Sequence, residues 1–128
     1  MPASKTCLLV EDSRVIRKVA ATIMEGLGYT CREAENGELA MQECKKAMPD
    51  FVLLDWNMQV MNGIDFLKQL RGLPNGKTPK VIFCTTQNEI AHIQEGLAAG
   101  ADEYIMKPFD SDIIRSKLEM LGLIEESG

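Results

Sequence analysis

Short uninterrupted apolar runs alternate along this chain with longer segments in which apolar residues recur every three or four positions. The clearest run is Phe51-Val52-Leu53-Leu54, which passes directly into Asp55. A continuous apolar run bounded by turn-like residues reads as a strand buried on both faces, the pattern of a central strand in a parallel sheet. Thr6-Cys7-Leu8-Leu9-Val10 is a second such run, and it too ends in acid, at Glu11-Asp12. Lys80-Val81-Ile82-Phe83-Cys84 runs into Thr85-Thr86, Glu103 to Met106 runs into Lys107-Pro108, and Tyr29 to Ala34 is a weaker member of the set.

The segments between these runs have helical spacing. Ser13 is a good N-cap, and Val15, Ile16, Val19, Ile23 and Leu27 follow at helical intervals up to a stop at Gly26 to Gly28. Asn36-Gly37 opens a helix through Leu39, Ala40, Met41 and Cys44 that must end before Pro49. After Asn62-Gly63, the side chains of Ile64, Phe66, Leu67 and Leu70 make one broad inward face. Residues 72–79 read as a surface loop from their Pro and Gly content. A fourth helix is expected from Asn88 to Ala99, closed by Gly100, and a fifth from about Asp110 to Leu121. Five strands alternating with five helices, joined by right-handed crossovers, predict an α/β fold: a (βα)5 doubly wound parallel five-stranded sheet.

The 128 residues amount to a single domain able to bury a core without staples, and no second module is expected. Fourteen basic against nineteen acidic side chains give a net charge of −5, with no basic cluster longer than Lys45-Lys46. That argues against direct nucleic-acid binding, which needs a concentrated positive face. Neither a signal-peptide core nor an apolar run of membrane-spanning length is present, so the expected location is the cytoplasm with no membrane partner. Cys7, Cys31, Cys44 and Cys84 form no C-x-x-C pair, and His92 is the only histidine. Neither a disulfide framework nor a zinc site is expected, and Cys7 and Cys84 are assigned to packing.

Chemistry concentrates at the strand ends. Glu11 and Asp12 follow the first strand, Asp55 the third, Thr85 the fourth and Lys107 the fifth, and in a parallel sheet these ends share one side. Three carboxylates brought together repel, and either protons or a divalent cation relieves them. Hard oxygen ligands favour Mg²⁺, which keeps waters and leaves room for a phosphate oxygen. A lysine and a hydroxyl on the opposite rim complete a pocket for a phosphoryl group, with Asp55 as the nucleophile.

Glu11-Asp12, Asp55-Trp56-Asn57-Met58, Met61-Asn62-Gly63, Thr85, Gly100-Ala101, Tyr104 and Lys107-Pro108-Phe109, at these spacings, resemble a known family over nearly the whole chain. They are similar to the receiver domains of two-component response regulators, and within them to the single-domain chemotaxis (CheY-like) type. The resemblance implies a flavodoxin-like receiver fold that switches by phosphorylation, with Asp55 accepting phosphate from a histidine kinase. It implies Mg²⁺ ligation by Asp12, Asp55 and the Asn57 backbone carbonyl, with Glu11 acting through water. It further implies that Thr85 and Lys107 contact the phosphoryl group and that Tyr104 is the switch aromatic. The downstream partner would be a target protein, at the flagellar motor or in a relay that passes phosphate onward. Such a domain catalyses its own modification and is no enzyme in the turnover sense. A cis Lys107-Pro108 bond is expected, since the ammonium must turn back toward Asp55 and the resemblance points the same way. Gln59 stands where the family often has Pro, Asn62 where it often has Asp, and Thr86 where Ala or Gly is common.

Rival readings are weaker. The stretch Gly72 to Thr78 imitates a Walker A loop but has three residues between its glycines where four are needed, and it precedes a strand. A flavin or dinucleotide site is disfavoured because the first strand-to-helix turn, Glu11-Asp12-Ser13-Arg14, has no glycine. An aspartyl-phosphate phosphatase would place a second Asp two residues after the nucleophile, where this chain has Asn57. His92 is read as solvated surface, and the methionines as core filler although Met58 and Met61 flank the site. Ile90, Ile93 and Leu97 form a stripe on the fourth helix, with Leu97 expected in the core and Ile90 or Ile93, where exposed, as an anchor for a partner.

Overall fold

The structure, a computed structural model, describes residues 5–56, 60–85 and 90–124, apart from the side chains of Ile90 and His92. Ten elements alternate along them: β1 (Lys5–Val10), α1 (Arg14–Gly26), β2 (Tyr29–Ala34), α2 (Gly37–Lys46), β3 (Phe51–Asp55), α3 (Gly63–Arg71), β4 (Lys80–Thr85), α4 (Ile90–Ala98), β5 (Glu103–Met106) and α5 (Ser111–Met120). The strands form one parallel sheet in the order β2-β1-β3-β4-β5, the doubly wound architecture expected.

Strand position follows composition. β3 is buried along its whole length, as are β1 from Cys7 and β4 from Val81, and these three most apolar runs form the centre of the sheet. The mixed sequences of β2 and β5 fall on the edges, where burial is partial. Alternate strand residues feed two core layers. Leu8, Val52, Leu54, Val81 and Phe83 pack with Phe66, Leu67 and Leu70 on one face of the sheet, while Cys7, Leu9, Phe51, Leu53 and Ile82 pack with Met24, Ile114 and Leu118 on the other. Sequential strands leave β1 in opposite directions, to β2 on one side and β3 on the other. That reversal opens a crevice at the carboxyl ends of β1 and β3, where ligands of such sheets bind.

Among the described residues, four helices begin on a side-chain cap. Ser13 accepts from the Ile16 N–H, Asn36 from Leu39, Asn62 from Asp65 and Asp110 from Ile113, each satisfying a donor that has no partner in the first turn. The spacing argument fails in part on α1: its buried residues are Ala20, Ala21 and Met24, whereas Val15 is 74% and Val19 48% exposed. Small side chains let the helix lie close on the sheet, and the β-branched residues at the same period fall on the outer side. Leu97 is likewise 43% exposed, so its expected place in the core is not what the fold provides. Arg71 stands at the end of α3, in no recognisable sequence motif. It donates to the carbonyls of Gly76, Pro79 and Gly100 and to Asp102, fastening the loop after α3 to the turn after α4. Among the described residues no helix is long and apolar enough to cross a membrane.

Candidate functional site

Register brings the chemical groups together. Val10 pairs with Leu54, so the residues that follow, Glu11 and Asp55, emerge side by side at the crevice. Thr85 pairs with Met106 at the β4 and β5 ends, which sets Lys107 next to it, and the Lys107 N–H donates to the Thr85 carbonyl at 2.7 Å. The Lys107-Pro108 bond is cis, as expected. Glu11, Asp55 and Thr85 are buried while Asp12 is exposed at the mouth.

Lys107 Nζ lies 2.7 Å from Glu11 Oε1 and 2.9 Å from Asp55 Oδ1. The other Glu11 oxygen accepts from the Ser13 N–H at 3.0 Å, so this carboxylate is held at both atoms. Its backbone is fixed too: the Glu11 N–H donates to Ala34 of β2, and Arg17 donates to the Glu11 carbonyl at 2.7 Å. Arg17 is itself oriented by Glu33, 2.8 Å away. Arg17 and Glu33 thus support the site, and no spacing rule in the sequence links them.

One oxygen from each of Glu11, Asp12 and Asp55 lies within 4.8 Å of the others. Burial pushes the Asp55 carboxyl above its ordinary value; Lys107 opposes the shift and the Asp12 charge adds to it. Asp12 is raised as well, first by burial and then by Glu11. Lys107 is also raised: burial works to lower it, but its hydrogen bonds to Glu11 and Asp55 prevail. The balance of charge accounts for the upward shift of both partners. The ammonium faces two carboxylates, whereas Asp55 shares one ammonium with two other acids, so the pocket is net negative and short of a cation. A hard divalent ion fits that donor set, with Asp12 at the open side to receive it. Asn57, whose backbone carbonyl is the remaining ligand implied by the resemblance, lies outside the described residues, as do Met58, Gln59 and Thr86.

The turn leaving the site is closely packed. The Gly63 N–H donates to the Trp56 carbonyl at 3.1 Å, and a Cβ on Gly63 would collide with the Asp55 carbonyl and come within 2.8 Å of Phe83. Trp56 is buried with its ring centroid 5.2 Å from that of Phe83. Beyond them a small cavity is lined by Trp56, Phe83, Thr85, Ile93, Leu97 and Tyr104. Thr85 and Tyr104, singled out as switch residues, therefore face one space. Lys117 covers the Tyr104 ring from 5.4 Å and pairs with Glu103 at 3.5 Å. Gly96 of α4 contributes to this packing: a Cβ there would stand 2.8 Å from the Phe83 ring. A glycine inside a helical pattern was the available signal. The side chains of Ile90 and His92 fall outside the description, and Ile93 is half-buried.

The family model of the response regulator receiver domain matches residues 7–119. The chain is 35% identical over 115 residues to chemotaxis protein CheY-3 of Vibrio cholerae, covering 89% of this chain and 88% of that protein. It is 35% identical over 116 residues to chemotaxis protein CheY1 of Helicobacter pylori, covering 89% and 94% respectively. The solved structure of the chemotaxis response regulator CheY4 of Vibrio cholerae superposes with a TM-score of 0.86 at 30% identity, over 93% of this chain and 99% of that one. The sheet order, the acids and lysine gathered at its carboxyl edge, and a match running from β1 into α5 agree: this chain belongs to the response regulator receiver-domain family.

Proposed function

We propose that this chain is a phosphorylation-dependent signalling switch in which Asp55 accepts a phosphoryl group from a histidine kinase, changing affinity for a downstream partner. The observation that carries the reading is Lys107 Nζ, held 2.9 Å from Asp55 beside a three-carboxylate cluster. Asp55 Oδ1 is engaged by Lys107, which leaves the other carboxylate oxygen to attack phosphorus. As the O–P bond forms, the P–N bond of the phosphohistidine breaks and the imidazole leaves. Lys107 then exchanges its bond to Asp55 for one to a phosphoryl oxygen, placing positive charge where negative charge accumulates. Thr85, at the adjoining strand end, supplies its hydroxyl to the same group.

Asp12, Asp55 and the Asn57 backbone carbonyl, with Glu11 acting through water, would hold Mg²⁺, which would supply neutralising charge for the transferred oxygens. Drawing Thr85 inward frees space for Tyr104 in their shared cavity, a two-state element that phosphorylation biases. Output is read on α4, β5 and α5. Chemotaxis is the favoured setting, because the CheY relatives carry that name and match 89% of this chain. Passing phosphate onward in a relay is the second reading, and the same exposed Asp12 mouth supports it by admitting an acceptor histidine.

Incubation with acetyl phosphate and Mg²⁺, followed by intact mass measurement, tests the assignment. The wild-type chain gains one phosphoryl group, and the gain disappears in Asp55→Asn and on chelation of the metal. Labelling that persists in Asp55→Asn removes that residue from its role. Incubation of the purified chain with candidate phosphorylated kinases, followed by candidate relay proteins, separates the motor-binding reading from the relay.

A further inference from the structure

Cys7 of β1 and Cys31 of β2 occupy paired positions on neighbouring parallel strands, and the Cys7 S–H donates to Cys31 Sγ at 3.1 Å. Paired residues of such strands send their side chains to the same face, with the backbones about 4.8 Å apart. That spacing lies inside the roughly 4.4–6.8 Å between Cα atoms that a disulfide spans, and a bond needs the sulfurs to close to about 2.05 Å. Side-chain rotation supplies that movement without displacing a strand. All four cysteines are free thiols. Cys44 belongs to the opposite core layer and Cys84 sits on β4, two strands from β1, so neither competes for Cys7.

The pair also has an order. Cys7 is completely buried, whereas Cys31 is half-buried on an edge strand, its S–H directed at the Ala21 carbonyl 3.9 Å away. A dissolved reagent meets Cys31 first and finds Cys7 directly behind it. We propose that Cys7 and Cys31 are a redox-modification site, which a small-molecule disulfide oxidises to an intramolecular bond tying the edge strand β2 to β1. The Cys31 thiolate attacks one sulfur of the reagent disulfide and expels one reagent thiolate, leaving a mixed disulfide. Cys7 attacks Cys31 Sγ and expels the second reagent thiolate, which takes up the Cys7 proton as it leaves. One reagent disulfide is reduced to two thiols, and two protein S–H groups become one S–S bond. Burial pushes both thiols above their ordinary values, so the exchange accelerates as pH rises.

The bond ties together strands that already share the Glu11-to-Ala34 hydrogen bond, and it closes the chain between positions 24 apart. Constraint of the unfolded chain then raises the unfolding temperature. The test treats the full chain with oxidised glutathione at mildly alkaline pH, denatures it, alkylates free thiols and measures intact mass and linked peptides. The expected product has two alkylatable thiols where the untreated chain has four, a Cys7 to Cys31 linked peptide, and a higher unfolding temperature that a reductant reverses. Cys44→Ser keeps the product. Cys31→Ser, which alters one atom and is checked for folding by circular dichroism, loses it. Four alkylatable thiols after treatment, a glutathione adduct that stays on Cys31, or a link between any other pair overturns the proposal.

Discussion

Lys107 reaches back from the end of β5 to place its Nζ 2.9 Å from Asp55 Oδ1, at the end of β3 and two strands away in the sheet. The contact joins an ammonium that cannot neutralise its surroundings to a carboxylate that burial disfavours. It leaves a pocket with more negative than positive charge, a donor set that suits a cation.

Asp55 is therefore expected to cost the fold stability in metal-free buffer. Folding raises its pKa, so the folded chain holds that proton more firmly than the unfolded chain does. Such a group favours folding below its ordinary value near 3.8 and loses that contribution as pH rises through the folded value. Asp55→Asn should unfold at higher denaturant concentration than wild type at neutral pH, by on the order of 1 kcal/mol for one poorly compensated buried group. The difference should shrink on acidification. Urea titrations at neutral pH and at about pH 3 measure it, and a less stable variant at neutral pH contradicts the charge balance argued from the site.

Removing the ammonium acts on the chemistry. Lys107→Ala keeps Asp55 but withdraws the donor aimed at the transferred oxygens, so labelling by acetyl phosphate should slow by about 10²-fold or more. Time-resolved mass spectrometry reads the rate directly. A rate within a factor of about two of wild type would show that Lys107 has a structural role alone.

The single tryptophan reports on the metal. Trp56 follows Asp55 in the chain and packs with its ring tilted against Phe83, so a charge arriving at Asp12 and Asp55 acts on its ring across a short distance. Mg²⁺ should change its fluorescence saturably, and Asp12→Asn should shift the response to higher Mg²⁺. Emission that stays flat up to high Mg²⁺ in wild type counts against the site.

Much of this was legible in the residues. Three central strands announced themselves as unbroken apolar runs, and because strands of a parallel sheet end on one side, the residues after each run had to converge. Periodicity was less informative on α1, where Ala20, Ala21 and Met24 turned inward and the bulkier Val15 and Val19 outward, since a helical period fixes which residues share a face but not which face meets the sheet. The approach of Cys7 to Cys31 and the pairing of Arg17 with Glu33 depend on strand register and helix placement. Neither quantity is written in local spacing.

That lesson decides how the output surface should be tested. Ile93 and Leu97 belong to one stripe on α4 and both line the cavity shared with Thr85 and Tyr104, but Ile93 is half-buried there while Leu97 is 43% exposed. A charge at Ile93 must be desolvated beside Trp56 and Phe83, so Ile93→Asp should destabilise the fold by about 1–3 kcal/mol and disturb the switch itself. Leu97→Asp puts its charge largely in water. It should leave the unfolding transition within about 0.5 kcal/mol of wild type and acetyl-phosphate labelling unchanged, while weakening binding of the phosphorylated chain to its target. Thermal unfolding, labelling and a binding titration on the same two variants separate the cases. Target binding that survives Leu97→Asp at full strength would place the read-out surface elsewhere than α4.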